Sequence, residues 1–335
     1  MGAGAYGIAL ACCFSRNKIP VTVWHPNQQH CEFLNQTRAS TRLIGLIIPE
    51  TITFSHSLSE QCNKAHSATI ALPSRILNQI LNDAILNNIN EQENFIKALG
   101  QVSLIVNASK GIGEYHNQFD WYSNVFKRLL PQINYAQLSG PTFANELAAG
   151  KISALTLGCD KNDLTLSYQQ ALNSTSLRVY RNQDIRGVEI GGALKNVLAI
   201  ACGVSDGLEL GHNARSALLT RGIAELTRIG VQAGGQAQTF LGLSGVGDCV
   251  LTCTIDNSRN RQFGIKLAKT GLSVTELLQQ IGTVEGVQTA SKIPAIESKY
   301  QCELPIMHSV YKMLYEAVPV SKVLAELLAR PYADE

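Results

Sequence analysis

Two lysines, one carboxylate and a Ser-Arg-Asn run carry most of the side-chain chemistry available to this chain. Lys195 stands in a helix-like stretch with Gly191, Gly192, Ala199 and Gly203 at three- and four-residue spacings. Glycine inside a helix costs ~0.5–1 kcal/mol relative to alanine, so a Gly-Gly pair there implies close approach by a ligand or another helix. Helix packing accounts for the glycines but leaves the lysine unexplained. Lys110 follows an apolar run ending at Asn107 and is flanked by Ser109 and Gly111. It therefore lies just past the carboxyl end of a strand, where open α/β sheets bind ligands; a solvated surface lysine is the competing reading. Asp248 ends a glycine-rich segment and begins a helix-like one, which suits an N-cap, a site carboxylate, or both. Ser258-Arg259-Asn260 reads as a helix start capped by Ser258, where an anion would meet amides, a hydroxyl, a guanidinium and a carboxamide together. A solvated basic turn shared with Arg261 is the alternative. The turn Ser139-Gly140-Pro141 opens a helix-like stretch over 142–149 and presents amides and hydroxyls, Thr142 among them, toward the same crevice as Lys110; its alternative is an ordinary strand-to-helix turn.

A phosphate-binding element precedes all of these. Residues 2–7 spell Gly-Ala-Gly-Ala-Tyr-Gly, a G-x-G-x-x-G followed by a helix-like 8–16 and a strand ending at Trp24. In a dinucleotide fold Gly2 makes the tight turn, Gly4 lets amides touch the pyrophosphate and Gly7 packs helix on sheet. The helix start adds partial positive charge for the phosphates. A plain Gly-rich turn is the bland reading. The residue closing the second strand selects the cofactor: a carboxylate holds the ribose 2′-hydroxyl of NAD, and a basic group accommodates the phosphate of NADP. His25 stands there, with no carboxylate to repel a phosphate, so NADP is acceptable beside NAD; a preference for NADP and a solvated loop histidine are both open readings. The fingerprint lacks the hydrophobic strand that should precede it. Its absence predicts two half-sheets facing a gap, and a start upstream of the given Met1 that encodes roughly six to eight more apolar residues.

These groups need a scaffold, and the rest of the chain supplies one. At 335 residues, with 45% hydrophobic residues and 27 Gly, the chain is long enough for two compact units with sizeable cores. Strand-like runs at 21–24, 51–54, 69–72, 103–107, 135–138, 154–157 and 177–180 alternate with helical stretches, the pattern of a parallel sheet covered by helices. From about Asp184 the strand signals stop and amphipathic stretches at 188–204, 214–232 and 274–280 take over. The expected fold is an α/β, Rossmann-like doubly wound domain over 1–183 and an all-α domain over 184–335. The Asn-rich 82–94 stretch reads as loop-bearing.

Charge excludes some partners. The 28 Lys plus Arg and 26 Asp plus Glu leave a net +2, so no nucleic-acid or acidic-membrane binder is expected. No run reaches the ~18 uninterrupted apolar residues of a membrane span, and no stable membrane insertion is expected. Nine scattered Cys without Cys-x-x-Cys spacing read as reduced core thiols of a cytoplasmic protein rather than a metal site. The helical half offers surface for a homodimer.

Taken together, the chain resembles the bacterial type of NAD(P)-dependent glycerol-3-phosphate dehydrogenase. The carrying segments are Gly2 to Gly7, Ser109-Lys110-Gly111, Ser139-Gly140-Pro141-Thr142-Phe143-Ala144-Asn145-Glu146, Gly191-Gly192-Ala193-Leu194-Lys195-Asn196, Gly242-Leu243-Ser244-Gly245-Val246-Gly247-Asp248 and Ser258-Arg259-Asn260-Arg261. They span nearly the whole chain in the family's order. The match is weakest between Asn35 and Phe54, where Arg42-Leu43-Ile44-Gly45 replaces a Tyr-Leu-Pro-Gly-like segment, and Ala5 stands where the family commonly has Ser.

The resemblance implies reversible reduction of dihydroxyacetone phosphate, a phosphorylated triose, to sn-glycerol 3-phosphate in the service of phospholipid synthesis. It makes Lys195 the catalytic base for alcohol oxidation and the proton donor for ketone reduction. It assigns substrate contacts to Lys110, Gly140, Thr142, Lys195, Asp248, Ser258, Arg259 and Asn260. Cofactor contacts fall to Gly2, Gly4, Ala5, Tyr6, Gly7, His25, Lys110, Ala144, Arg259, Thr283 and Glu285. Two other readings stand beside it: a hydroxy-acid or hydroxyacyl dehydrogenase on the same cofactor fold, separated by substrate-phosphate dependence, and a non-catalytic nucleotide sensor, separated by turnover.

Overall fold

The computed structural model describes residues 2–85 and 92–329. They divide into two compact units, one through Glu189 and one from Ile190.

The strands of the first unit are β1 (Val21–Trp24), β2 (Ala39–Ser40), β3 (Leu43–Ile47), β4 (Ile52–Ser55), β5 (Ser67–Ile70), β6 (Leu104–Asn107), β7 (Gly113–Tyr115), β8 (Gln118–Asp120), β9 (Asn134–Ser139), β10 (Ser153–Cys159) and β11 (Leu177–Asn182). The main sheet has the order β11-β10-β9-β6-β5, while β1 and β4 form a separate parallel pair, and β2-β3 and β7-β8 are small hairpins. Between the ends of β1 and β5 lies Gly2: its N–H donates to the carbonyl of Trp24 at 3.1 Å, and a Cβ built on it would stand 2.7 Å from the carbonyl of Ala71.

Apolar residues on both faces explain why helices cover both sides of the sheet. β6 is buried at every position; Leu104 and Val106 join the core under the Ala5–Arg16 helix, and Ile105 joins the opposite core with Phe95, Val125 and Phe126. That alternation is the pleat of a doubly wound sheet. One feature departs from the all-parallel expectation, for β10 runs antiparallel to β9 and β11 follows β10 in parallel. The connection between β9 and β10 holds one short helix, Ala144–Ala148, of five residues, and the chain returns beside β9 in the opposite sense. That helix is also shorter than the 142–149 expected. The Asn-rich stretch differs too: Asn82 lies in the Ser74–Ile85 helix and Gln92 opens another, while 86–91 lie outside the described residues.

In the second unit, the described residues form helices and one π-turn. The Ile185–Gly207 helix is long and apolar enough by composition to cross a membrane, and its most apolar window is entirely buried in the protein. A helix apolar all round is a core helix, and others wrap it. Glycines set how closely they approach: a Cβ on Gly191 would stand 2.3 Å from the carbonyl of Ser244. Gly191 therefore marks contact with another backbone.

Candidate active site

In the first unit, the Ala5–Arg16 helix starts at Gly4, which is extended and offers no side-chain cap. A Cβ on Gly4 would meet nothing within 4 Å, whereas one on Gly7 would stand 2.0 Å from the carbonyl of Gly2. The open space at an uncapped helix start, with the turn behind it closed against any side chain, fits the pyrophosphate of a dinucleotide. Beyond β1, His25 accepts a hydrogen bond at Nδ1 from the N–H of Asn27 at 3.2 Å, and its ring packs 4.6 Å from that of His30. Burial, then the nearby charge of His30, holds the His25 imidazole below its usual pKa, and Arg42 acts in the same direction.

Past the carboxyl ends of β6 and β9, Lys110 Nζ donates to the carbonyl of Gly140 at 2.9 Å and lies 5.8 Å from the ring centre of Tyr6. The hydroxyls of Tyr6 and Thr142 are 3.0 Å apart. Gly140 has φ +140 and sits against β10, so a side chain there would be strained as well as crowded. Lys110, Gly140, Thr142 and the fingerprint's Tyr6 thus form one cluster, with Ala144 opening the short helix beside it.

The second unit holds a separate group. Lys195 is 5% exposed in the core helix; its ammonium is paired with Asp248 and donates to Thr252 Oγ1 at 2.7 Å. Asp248 is not a helix cap. The π-turn Leu243–Gly247 runs directly into the Asp248–Thr254 helix, Gly247 is itself helical, and the fully buried carboxylate faces Lys195. Thr252 escaped the sequence reading; its only signal is a four-residue spacing from Asp248, which puts both on one helix face.

Ser258 caps the Arg259–Thr270 helix by accepting from the N–H of Arg261 at 3.3 Å. The two arginines differ sharply. Arg261 is buried, with Nε 2.7 Å from Asp206 and a terminal nitrogen 2.5 Å from Asp256, so it belongs to no solvated turn. Arg259 is exposed at the first helical position and makes no hydrogen bond or ion pair among the described residues. Asn260 donates to Asn196 Oδ1 at 3.0 Å and accepts from the N–H of Gly286 at 2.8 Å. It thereby ties the core helix to the Glu285–Ala290 helix, where Glu285 stands half-buried at the start and Thr283 is exposed just before it.

Comparison with known proteins agrees with this architecture. The family described as NAD-dependent glycerol-3-phosphate dehydrogenase N-terminus matches residues 1–165, and its C-terminus counterpart matches 184–325. Glycerol-3-phosphate dehydrogenase [NAD(P)+] of Nitrosomonas eutropha is 40% identical over 334 residues, covering 98% of this chain and 96% of that protein. The enzyme of the same name from Haemophilus influenzae is 38% identical over 338 residues, covering 100% and 97%. The crystal structure of glycerol-3-phosphate dehydrogenase from Coxiella burnetii superposes with a TM-score of 0.88 at 32% identity, covering 98% of this chain and 97% of that one. On both halves of its length, and with the fold of a solved member, this chain belongs to the NAD-dependent glycerol-3-phosphate dehydrogenase family.

Proposed function

We propose that the protein reduces dihydroxyacetone phosphate to sn-glycerol 3-phosphate with NADH or NADPH, reversibly, and so feeds glycerophospholipid synthesis. The observation that carries this reading is the buried Lys195 ammonium held by Asp248 and Thr252. Burying an ammonium together with its carboxylate costs several kcal/mol per ion, which their attraction need not repay, so retention of the pair in an apolar core argues for chemistry. When bound, the nicotinamide supplies the hydride that goes to the carbonyl carbon.

Lys195 then stabilises the charge developing on the carbonyl oxygen and donates a proton to it; in the reverse direction it takes the proton from the alcohol. Asp248 and Thr252 fix where Nζ points, and Asp248 also lies beside the substrate. Ser258, Arg259 and Asn260 bind the phosphate through a helix start and a guanidinium that makes no hydrogen bond or ion pair among the described residues. Lys110, Gly140 and Thr142 hold the substrate from the nucleotide-binding domain, 1–183; the catalytic domain is 184–335. Gly2, Gly4, Ala5, Tyr6, Gly7, His25, Lys110 and Ala144 bind the dinucleotide, with Arg259, Thr283 and Glu285 from the helical domain. The nine free, buried thiols support work in the reducing cytoplasm. The reading includes a homodimer formed through the helical domain.

The test is the loss of absorbance at the reduced-nicotinamide band with dihydroxyacetone phosphate, beside unphosphorylated dihydroxyacetone and with each nicotinamide separately. Turnover confined to the phosphorylated ketone is expected; equal rates on both ketones, or none on either, would overturn the reading.

A further inference from the structure

β6 and β9 are parallel neighbours in the main sheet, and Asn107 faces Gln137 in their register. Both side chains are buried, at 0% and 1% exposure. Two primary amides at that depth are costly unless their polar atoms are matched. Asn107 Nδ2 donates to Gln137 Oε1 at 3.1 Å and to the Tyr135 hydroxyl at 3.2 Å, and that hydroxyl donates to Gln137 Oε1 at 2.7 Å. The other ends of both amides turn onto one residue. Asn107 Oδ1 accepts from the N–H of Ser109 at 3.1 Å, and Gln137 Nε2 donates to the carbonyl of Ser109 at 3.2 Å. The Ser109 hydroxyl donates to the carbonyl of Leu72 at 2.7 Å. Ser109 is thus held at its N–H, its carbonyl and its hydroxyl, and the next residue is Lys110.

We propose that Asn107 and Gln137 are positioning residues for the reaction: their amides fix the backbone of Ser109 and so the direction in which Lys110 leaves the sheet toward the substrate. A structural purpose alone is a poor account of the pair. Replacing both partners of a buried polar contact by apolar groups of the same shape is often neutral or stabilising, and neighbouring positions of β6 are Leu104, Ile105 and Val106. What an apolar pair could not do is grip the two backbone groups of Ser109. The inference rests on Lys110 contacting substrate, and the experiment separates the two.

Gln137→Met, Lys110→Met and the double variant are compared for KM of dihydroxyacetone phosphate, KM of the reduced nicotinamide and thermal midpoint. Gln137→Met is expected to raise the ketone KM about tenfold, the effect of one misplaced charge-assisted contact, with the nicotinamide KM within about twofold. In the Lys110→Met background the same change adds nothing further, because the residue it positions is gone. Gln137→Glu keeps the size and the acceptor; its buried carboxyl, protonated at acid pH, donates to Ser109 and restores the ketone KM there but not at alkaline pH. An unchanged ketone KM in Gln137→Met, equal rises in both KM values, or additive effects in the double variant would each overturn the positioning role while leaving Lys110 in the site. An unchanged ketone KM in Lys110→Met would overturn both. Should Gln137→Met fail to fold, the pH dependence of Gln137→Glu decides alone, and a flat profile refutes the proposal.

Discussion

An ammonium that is 5% exposed and an exposed arginine with no partner among the described residues occupy the same helical unit, and each invites a different measurement. Lys195→Ala is expected to lower kcat by ~10² to 10⁴ with nicotinamide still bound, read by steady-state kinetics beside a fluorescence titration of the cofactor; near-normal turnover would remove it from the chemistry. Arg259→Ala should act mainly on the KM of the phosphorylated ketone, and an unchanged KM would move the phosphate elsewhere. His25 makes a pH prediction. Its pKa lies below the usual 6.5, chiefly through burial, so it is mostly neutral at pH 7 in the free protein. A bound 2′-phosphate favours the protonated imidazole, so NADP binding takes up a proton and weakens relative to NAD as pH rises. The NADP/NAD selectivity ratio should therefore be higher at about pH 6 than at about pH 8, and His25→Asn should flatten that dependence. The reason for singling out Lys195, a charge among helical glycines, is local and legible in sequence. Its partners Asp248 and Thr252 are more than fifty positions away, and nothing in spacing announces the pairing.

Among the elements, the first helix and its turn are the least tolerant of added atoms. A methyl on Gly7 would stand 2.0 Å from the carbonyl of Gly2, so backbone must move. Gly7→Ala is expected to destabilise by ~1–3 kcal/mol and to raise the KM of nicotinamide more than that of the ketone. Differential scanning calorimetry with paired KM values checks this; an unshifted midpoint would show that the turn yields freely. Strands with continuous apolar runs, such as β6, were legible because burial on both faces leaves a compositional mark. The hairpins β2-β3 and β7-β8 were not, since two to five residues carry too little periodicity. Nor was the reversed direction of β10, since a buried strand's own residues do not record whether its neighbour runs with it or against it.

At the scale of the whole chain, the change from alternating to helical periodicity near Asp184 and the division between Glu189 and Ile190 fall within six residues of one another, inside a helix that no linker composition announces. All nine cysteines are free and buried. Burial pushes the thiol of Cys249 up to about 12, helped by the neighbouring charge of Asp248, and that of Cys13 up to about 11. The thiolate is the reactive species, so the native protein should titrate close to zero thiols with a disulfide reagent near pH 8 and nine after unfolding in guanidinium. Rapid reaction of several in the native state would contradict the packing. A practical freedom follows for anyone wishing to watch this enzyme work. A single cysteine placed on an outward-facing helix position would be the one group a maleimide dye finds, and a fluorophore pair could be attached without first stripping the native chain of its own sulfur.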